Sequence, residues 1–422
     1  MNRISDHIYE KSLSSGGRLF ALPMKTRDVV TIEGSILGGS HLLPRPLAEV
    51  PRLAGRLYDA GTKTRGKNVL RNALSVRGAS LSFSGRGDRT HFSASCLPED
   101  LPFILTLIAE CLREPVFNPQ ELIMTRERAY SRLKDGKTDT RRQASHALRR
   151  LAYDIDHVNY AETDAIRERQ LKAVTRANLL SFHETYVGQG GLVLAMTGDI
   201  DAIQACTIAE RAFVTLPSGT EILPAKKRNH KKQEGKEAHL NIPEKANVDV
   251  YLGASIPVVL DDTNYLPMFM VTDMLGGGFA SHLMQTVRER DGLTHGIRAS
   301  LGGMAPDTDG FFYIWSTFSP NLFEKGVTTI RKETETFFTH HLRKELLEKK
   351  KDEIAGSYLI GLSTTSGMAH QLHSIGARGK DRSYIDEYPE LIRALTLTSI
   401  KDVAAYISLS RLSLSAAGTF AK

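Results

Sequence analysis

Histidine spacing is the first place to look for chemistry in this 422-residue chain, because two imidazoles one helical turn apart can share a metal ion. Two pairs come near that condition among the 14 histidines, the adjacent His340-His341 and the turn-spaced His370 and His373. Neither has a Glu at ligand spacing, so both read as solvated surface histidines. The cysteines Cys96, Cys111 and Cys206 are odd in number and widely separated. They suggest neither a disulfide framework nor a Cys-based zinc site, and read as reduced and mostly buried. The run Gly276-Gly277-Gly278 before Phe279 lets backbone amides approach a ligand closely. No Lys-Ser/Thr follows at the spacing a phosphate loop needs, so a tight helix connection is the favoured reading, with substrate contact by Gly276 to Phe279 the secondary one.

The elements that position such residues must come from an ordinary globular chain, 41% hydrophobic and 24% charged. Its length is more than one core usually organises, which predicts two domains. A net charge of +7 is spread along the chain rather than gathered in one arm, so nucleic acid is not an expected partner; acidic peptides or proteins suit it better. The first residues lack an apolar signal-like segment, and no uncharged apolar run reaches membrane-spanning length. The default expectation is a cytoplasmic protein that does not enter a membrane.

A basic stretch with Lys226, Lys227, Arg228, Lys231, Lys232 and Lys236 follows Leu216-Pro217-Ser218-Gly219 and reads as a linker, with a polybasic docking patch as the alternative. The expected division is a domain at 1–219, a linker at 220–236 and a second domain at 237–422. The flanks of the linker repeat one another weakly. Pro51 and Pro267 each begin an amphipathic stretch, and each is followed by a second helical segment, a Gly-marked turn (Arg77-Gly78, Asp291-Gly292) and a strand-like run. Tyr186-Val187 precedes Gly198 as Tyr406-Ile407 precedes Gly418, across the strands Leu192 to Thr197 and Leu412 to Ala416. Matches in the same order at both ends argue for duplication.

Most of each half has helical periodicity, as in Leu101 to Leu112, Gln120 to Lys134, Thr140 to Asp154, Glu345 to Leu362 and Ser366 to Gly379. Asn247 to Ile256 alternates as a half-buried strand, and Phe311 to Phe318 is a second. Strands followed by runs of helices predict an α+β protein: two duplicated α/β sandwich domains, each a sheet covered on one side by helices.

Against that background Leu53-Ala54-Gly55-Arg56-Leu57-Tyr58-Asp59-Ala60-Gly61-Thr62-Lys63 resembles the active-site helix of the pitrilysin/insulinase peptidases, which include the mitochondrial processing peptidase. Thr197-Gly198-Asp199-Ile200, Gly276 to Leu283 and Val287 to Leu293 extend the resemblance over nearly the whole chain. Active members carry His-x-x-Glu-His on that helix, where two His hold Zn²⁺, the Glu takes a proton from bound water and a distant Glu completes the shell. Counting back from Gly61-Thr62 places the motif positions on Arg52, Gly55 and Arg56, and the third ligand near Arg132-Leu133-Lys134. None is a ligand or a base. The resemblance therefore implies a chain with no metal of its own.

In the family the C-terminal half supplies an Arg and, seven residues on, a Tyr that polarise the scissile carbonyl. Arg288 fills the first position and His295 stands at the second, where an imidazole N–H can donate as a phenol does. A helix-end Arg paired with Glu289 or Asp291, and a half-exposed strand histidine, are the structural alternatives. Ala79 to Ser84 resembles the strand whose edge pairs with substrate in active relatives. Two readings follow from the resemblance. One is the zinc-less subunit of a heterodimeric metalloendopeptidase, half of a clamshell, giving Arg288 to a zinc-bearing homologous partner and enclosing a peptide substrate. The other is a catalytically inactive peptide- or protein-binding protein using Arg52, Arg56 and their neighbours.

Overall fold

The computed structural model describes residues 3–26, 28–219 and 235–420, so the expected linker at 220–236 lies almost wholly outside the described residues. The chain forms two mixed sheets. The first contains β1 (Tyr9–Ser12), β2 (Arg18–Pro23), β3 (Val30–Leu37), β4 (Ser80–Arg86), β5 (Arg89–Cys96) and β6 (Val193–Gly198), in the order β1-β2-β6-β3-β5-β4. The second contains β7 (Glu237–Asn241), β8 (Val248–Ser255), β9 (Gly296–Gly302), β10 (Phe311–Phe318) and β11 (Ser413–Gly418), in the order β7-β11-β8-β10-β9. With β1 set aside the two orders correspond strand for strand. The parallel pair falls at the same place in both, β2 with β6 and β7 with β11.

Backbone detail at equivalent positions supports duplication. Gly198 and Gly418 close β6 and β11 at φ of 132° and 154°, and the turn glycines Gly78 and Gly292 sit at 59° and 61°. At those φ values a β-carbon would be strained, so glycine is required in both copies.

In the first half the helices are α1 (Val50–Gly55), α2 (Lys67–Ser75), α3 (Leu101–Arg113), α4 (Pro119–Asp135), α5 (Thr140–Ala152), α6 (Asp164–Ala173), α7 (Arg176–Tyr186) and α8 (Ala202–Phe213). In the second they are α9 (Tyr265–Gly276), α10 (Phe323–Thr336), α11 (Lys344–Gly361), α12 (Thr365–Ala377), α13 (Tyr384–Arg393) and α14 (Leu397–Ala404). Two short π-helical segments, Met284–Arg290 and Phe337–His341, interrupt the second half.

The compact units differ from the two sequence halves. One gathers the described residues of Met1–Ser131, Arg167–Leu223 and Gly356–Pro389; the other gathers those of Arg132–Ile166, Pro224–Ala355 and Glu390–Lys422. The reason is a reciprocal exchange of one helix. In the first unit α12 lays Met368, Leu372 and Ile375 on Phe20, Leu22, Val193 and Ala195. In the second, α5 lays Ala144, Leu148 and Ala152 near Tyr251, Phe311 and Ala417. Each sheet has an apolar second face that its own half leaves open, and burying it against the other half's helix removes that surface from water. The expectation of helices on one side only is thus corrected.

Polar anchors fix both exchanged helices in the same way. Thr197 Oγ1 on β6 donates to the Thr365 carbonyl at 2.8 Å, and Ser415 Oγ on β11 donates to the Ala144 carbonyl at 2.8 Å. On α12, His373 is buried, contrary to the surface reading; its Nε2 lies 2.8 Å from Ser35 Oγ, which also accepts from Arg89 Nε at 2.6 Å. Burial, with His91 and Arg89 nearby, pushes the His373 pKa down to about 3. His373 is therefore neutral and shares a hydrogen bond with Ser35.

Candidate functional site

α1 buries Val50, Pro51, Leu53, Ala54 and Gly55, leaving Arg52 half-buried and Arg56 exposed at its end. Arg52 and Gly55 lie on this one short helix and Arg56 is its C-cap. Gly55 is held by the strand beside it. A β-carbon there would stand 2.3 Å from the Gly85 nitrogen and 2.8 Å from the Ser84 carbonyl carbon, both on β4. A carboxylate side chain at Gly55 would meet strand backbone.

The charge pattern points the same way. Glu49, with its side chain 4% exposed, places Oε1 2.5 Å from Arg52 Nη1 and 3.0 Å from Arg167 Nε. This carboxylate was not singled out from sequence, because its second partner lies on α6, far along the chain. Arg52 and Arg167 converge on this one carboxylate, and a guanidinium offers a metal no lone pair. Arg132 is exposed in the last turn of α4 and supplies no carboxylate. Among the described residues no group of three or more His, Cys, Asp or Glu is arranged to hold a metal. The side chains present do not fit zinc.

The three free cysteines are buried, and burial pushes each thiol up to about 12, as inert core residues.

In the second unit the glycine run divides by role. A β-carbon on Gly276 would meet the Ala299 nitrogen of β9 at 2.4 Å, so this glycine lets α9 pack on the edge strand, much as Gly55 lets α1 pack on β4. Gly277 is crowded by Asp273, whose carboxylate meets the buried Lys350 ammonium at 3.0 Å. A β-carbon on Gly278 would make only an ordinary contact, with Glu353 at 3.7 Å, and Phe279 beyond it is 77% exposed. The connection role accounts for Gly276 and Gly277.

Arg288 lies in the π-helical segment with its guanidinium carbon 5.9 Å from the Phe279 ring centre. It is 35% exposed and 3.5 Å from Glu289, the ion pair foreseen as its structural alternative. His295 is exposed in the bend preceding β9. Near the same segment, His282 Nε2 meets Glu333 at 3.1 Å while Arg290 Nη2 takes the other Glu333 oxygen at 2.9 Å. The His341 ring lies 4.9 Å from that of His282. Burial foremost, then His341, lowers the His282 pKa against the pull of Glu333. His340 and His341 themselves are exposed, as read from sequence.

Two duplicated sandwich units, one carrying a peptidase-type helix without ligands, define a metallopeptidase homologue. Comparison with known proteins agrees. Residues 22–164 match the insulinase (peptidase family M16) model, and residues 173–354 match the peptidase M16 inactive domain. The chain belongs to the M16 insulinase family. It is 21% identical over 88% of its length to an uncharacterized zinc protease of Streptomyces coelicolor, covering 82% of that protein. It is 20% identical over 86% of its length to the non-peptidase homolog YmxG of Helicobacter pylori, covering 83% of it. Among solved structures, the peptidase M16 inactive domain from Pseudomonas fluorescens superimposes with a TM-score of 0.88 at 20% identity, covering 98% of both chains. A protease from Helicobacter pylori does so with a TM-score of 0.87 at 16% identity, covering 97% of this chain and 99% of that one.

Proposed function

We propose that this chain is a catalytically inactive M16 subunit that works beside a zinc-bearing homologue in a heterodimeric metalloendopeptidase, giving Arg288 to the partner's site and half of the enclosure for a peptide substrate. The observation that carries the first part is the β4 backbone standing where the base would project from Gly55. Water activation must then come from another chain. Support for the second part is that Arg288 is part-exposed beside an exposed Phe279, engaged by 3.5 Å contacts with Glu289 and with Met284 Sδ. A fixed cation near a developing oxyanion contributes several kcal/mol in a water-poor site.

The test is co-purification with a zinc-bearing M16 chain, followed by peptidase assay with Arg288→Ala. Mixing should raise the partner's kcat, and the variant should remove most of that gain with the complex still formed. An unaltered rate would exclude the donation of Arg288, and failure of any M16 chain to associate would exclude the heterodimer.

A further inference from the structure

In the second sheet α5 packs on β8 and β11. Farther along the same face, register sets Arg298 of β9, Trp315 of β10 and Tyr251 of β8 in one row, because residues paired across neighbouring strands point to the same side. Trp315, the single tryptophan of the chain, is half-buried, as is Tyr313 two residues before it, and Arg298 is exposed. The indole is held in place by its Nε1, which donates to the buried Asp249 carboxylate at 2.8 Å. Over its ring stands the exposed Arg141 of α5, with the guanidinium carbon 3.7 Å from the ring centre.

Stacking fixes a guanidinium by its face and leaves the N–H groups in its plane able to donate. Arg141 also hydrogen-bonds the Tyr251 hydroxyl, and Arg298 Nε donates to Ser300 Oγ at 3.1 Å. Among the described residues neither guanidinium has a carboxylate partner. Asp249 does not supply one, since its two oxygens are engaged by Trp315 Nε1 and by Thr140 Oγ1 at 2.5 Å. Nor does the repeat require this row. Thr365 meets Thr31 as Thr140 meets Asp249, and two residues farther along the paired strands the first sheet has Glu33, Ser93 and Ser82 where the second has Tyr251, Trp315 and Arg298. A sheet of this order therefore forms without aromatic rings and guanidiniums at these positions.

We propose that the row is a carboxylate-binding site of the second unit: Arg141, stacked on Trp315, and Arg298 take a carboxylate of a peptide, with Trp315 and Tyr313 against an apolar or aromatic side chain beside it. Guanidiniums with donors to spare match a carboxylate through paired N–H bonds, and ring surface next to them favours an organic anion over an inorganic one. The carboxylate is either the peptide's C-terminus or an Asp or Glu side chain. The inference rests on the reading that this chain holds a peptide and names the group recognised; it needs neither Arg288 nor a partner.

Trp315 supplies the readout, since excitation at the red edge of indole absorption reports it alone. The isolated full chain is titrated with acetyl-Ala-Ala-Phe bearing a free carboxylate, with the same peptide as its amide, with acetyl-Ala-Glu-Phe amide and with inorganic phosphate, and calorimetry repeats each titration. A saturable signal is expected with the first peptide, the acidic amide or both, about tenfold tighter than with the neutral amide or phosphate. Which of them binds tells the C-terminus from an acidic side chain. Arg298→Gln, an exposed change that touches only Ser300, should weaken the preferred peptide about tenfold, and Arg141→Lys, which keeps the charge and loses the planar fork, should act in the same direction. The preference should shrink as salt is raised. No saturable signal by either method, equal affinity for the neutral amide or phosphate, or a preference that survives either substitution would overturn the proposal. Association with a zinc-bearing chain is read in its own co-purification, so failure of one is distinguishable from failure of the other.

Discussion

Gly55 and Gly85 meet backbone to backbone: a β-carbon on Gly55 would lie 2.3 Å from the Gly85 nitrogen, so strand β4 occupies the volume a catalytic carboxylate would need. Strand backbone thus fills the position that the sequence resemblance gives to the catalytic base. Restoring the motif by Arg52→His, Gly55→Glu and Arg56→His together is expected to give a destabilised chain that retains no zinc after dialysis, checked by elemental analysis. Gly55→Ala alone should cost about 1–3 kcal/mol through overpacking, read from the urea midpoint. One zinc per restored chain would show that β4 can withdraw.

Glu49 is a buried carboxylate held by Arg52 and Arg167. Glu49→Gln keeps the shape and removes the charge, so two guanidiniums face each other without their counterion. The expected loss is about 2 kcal/mol, with the denaturant slope unchanged. A variant as stable as the parent would mean that solvent replaces the carboxylate at no cost.

His373 links stability to pH. Its folded pKa is depressed to about 3, below the unfolded value near 6.5. Between those values the unfolded chain binds the extra proton, so the contribution is complete above about pH 6.5 and is lost as pH falls toward 3. His91, also lowered by burial and Arg89, adds in the same direction. Urea midpoints at pH 7.0, 5.5 and 4.5 should fall steeply in the parent and less steeply in His373→Leu. Identical slopes would place the acid sensitivity elsewhere.

Thr197 and Ser415 make equivalent bonds to the exchanged helices, one in each unit. Thr197→Val and Ser415→Ala should each cost about 1 kcal/mol. Because the two lie in separate units, the double variant should show the sum within about 0.5 kcal/mol. Strong non-additivity would reveal that the two exchanges are energetically coupled.

Arg290 bridges Asp291 and Glu333, and Glu333 also holds His282. Glu333→Gln should loosen the Met284–Arg290 segment that carries Arg288, seen as faster amide exchange there with little change in β8 and β10. Unaltered exchange would show that packing of Val287, itself fully buried, suffices to hold the segment.

Periodic signals in the sequence carried a large share of the fold. Phe311–Phe318 is a strand over the residues its alternation marked, and Leu101–Arg113 and Lys344–Gly361 follow their apolar spacing within a residue or two. The glycines at Gly78, Gly198, Gly292 and Gly418 marked the repeat because backbone at positive φ admits little else. Less visible were β1 and β2, α6, α13 and α14, short elements whose patterns do not stand out from their surroundings. The π-helical turns at Met284–Arg290 and Phe337–His341 were likewise hidden, since apolar spacing alone does not separate them from α-helix.

What the sequence determined by itself is the chemistry that α1 lacks: Arg52, Gly55 and Arg56 are neither metal ligands nor bases, whatever surrounds them. Tertiary structure decided why that cannot be repaired locally. Gly55 faces strand backbone, Glu49 is tied to Arg167 on a distant helix, His373 is buried against Ser35, and α5 and α12 each complete the sheet of the other half. Spacing along a chain reports neighbours within an element, whereas burial, counterions and helix exchange depend on segments hundreds of residues apart being brought together by the hydrophobic faces they share.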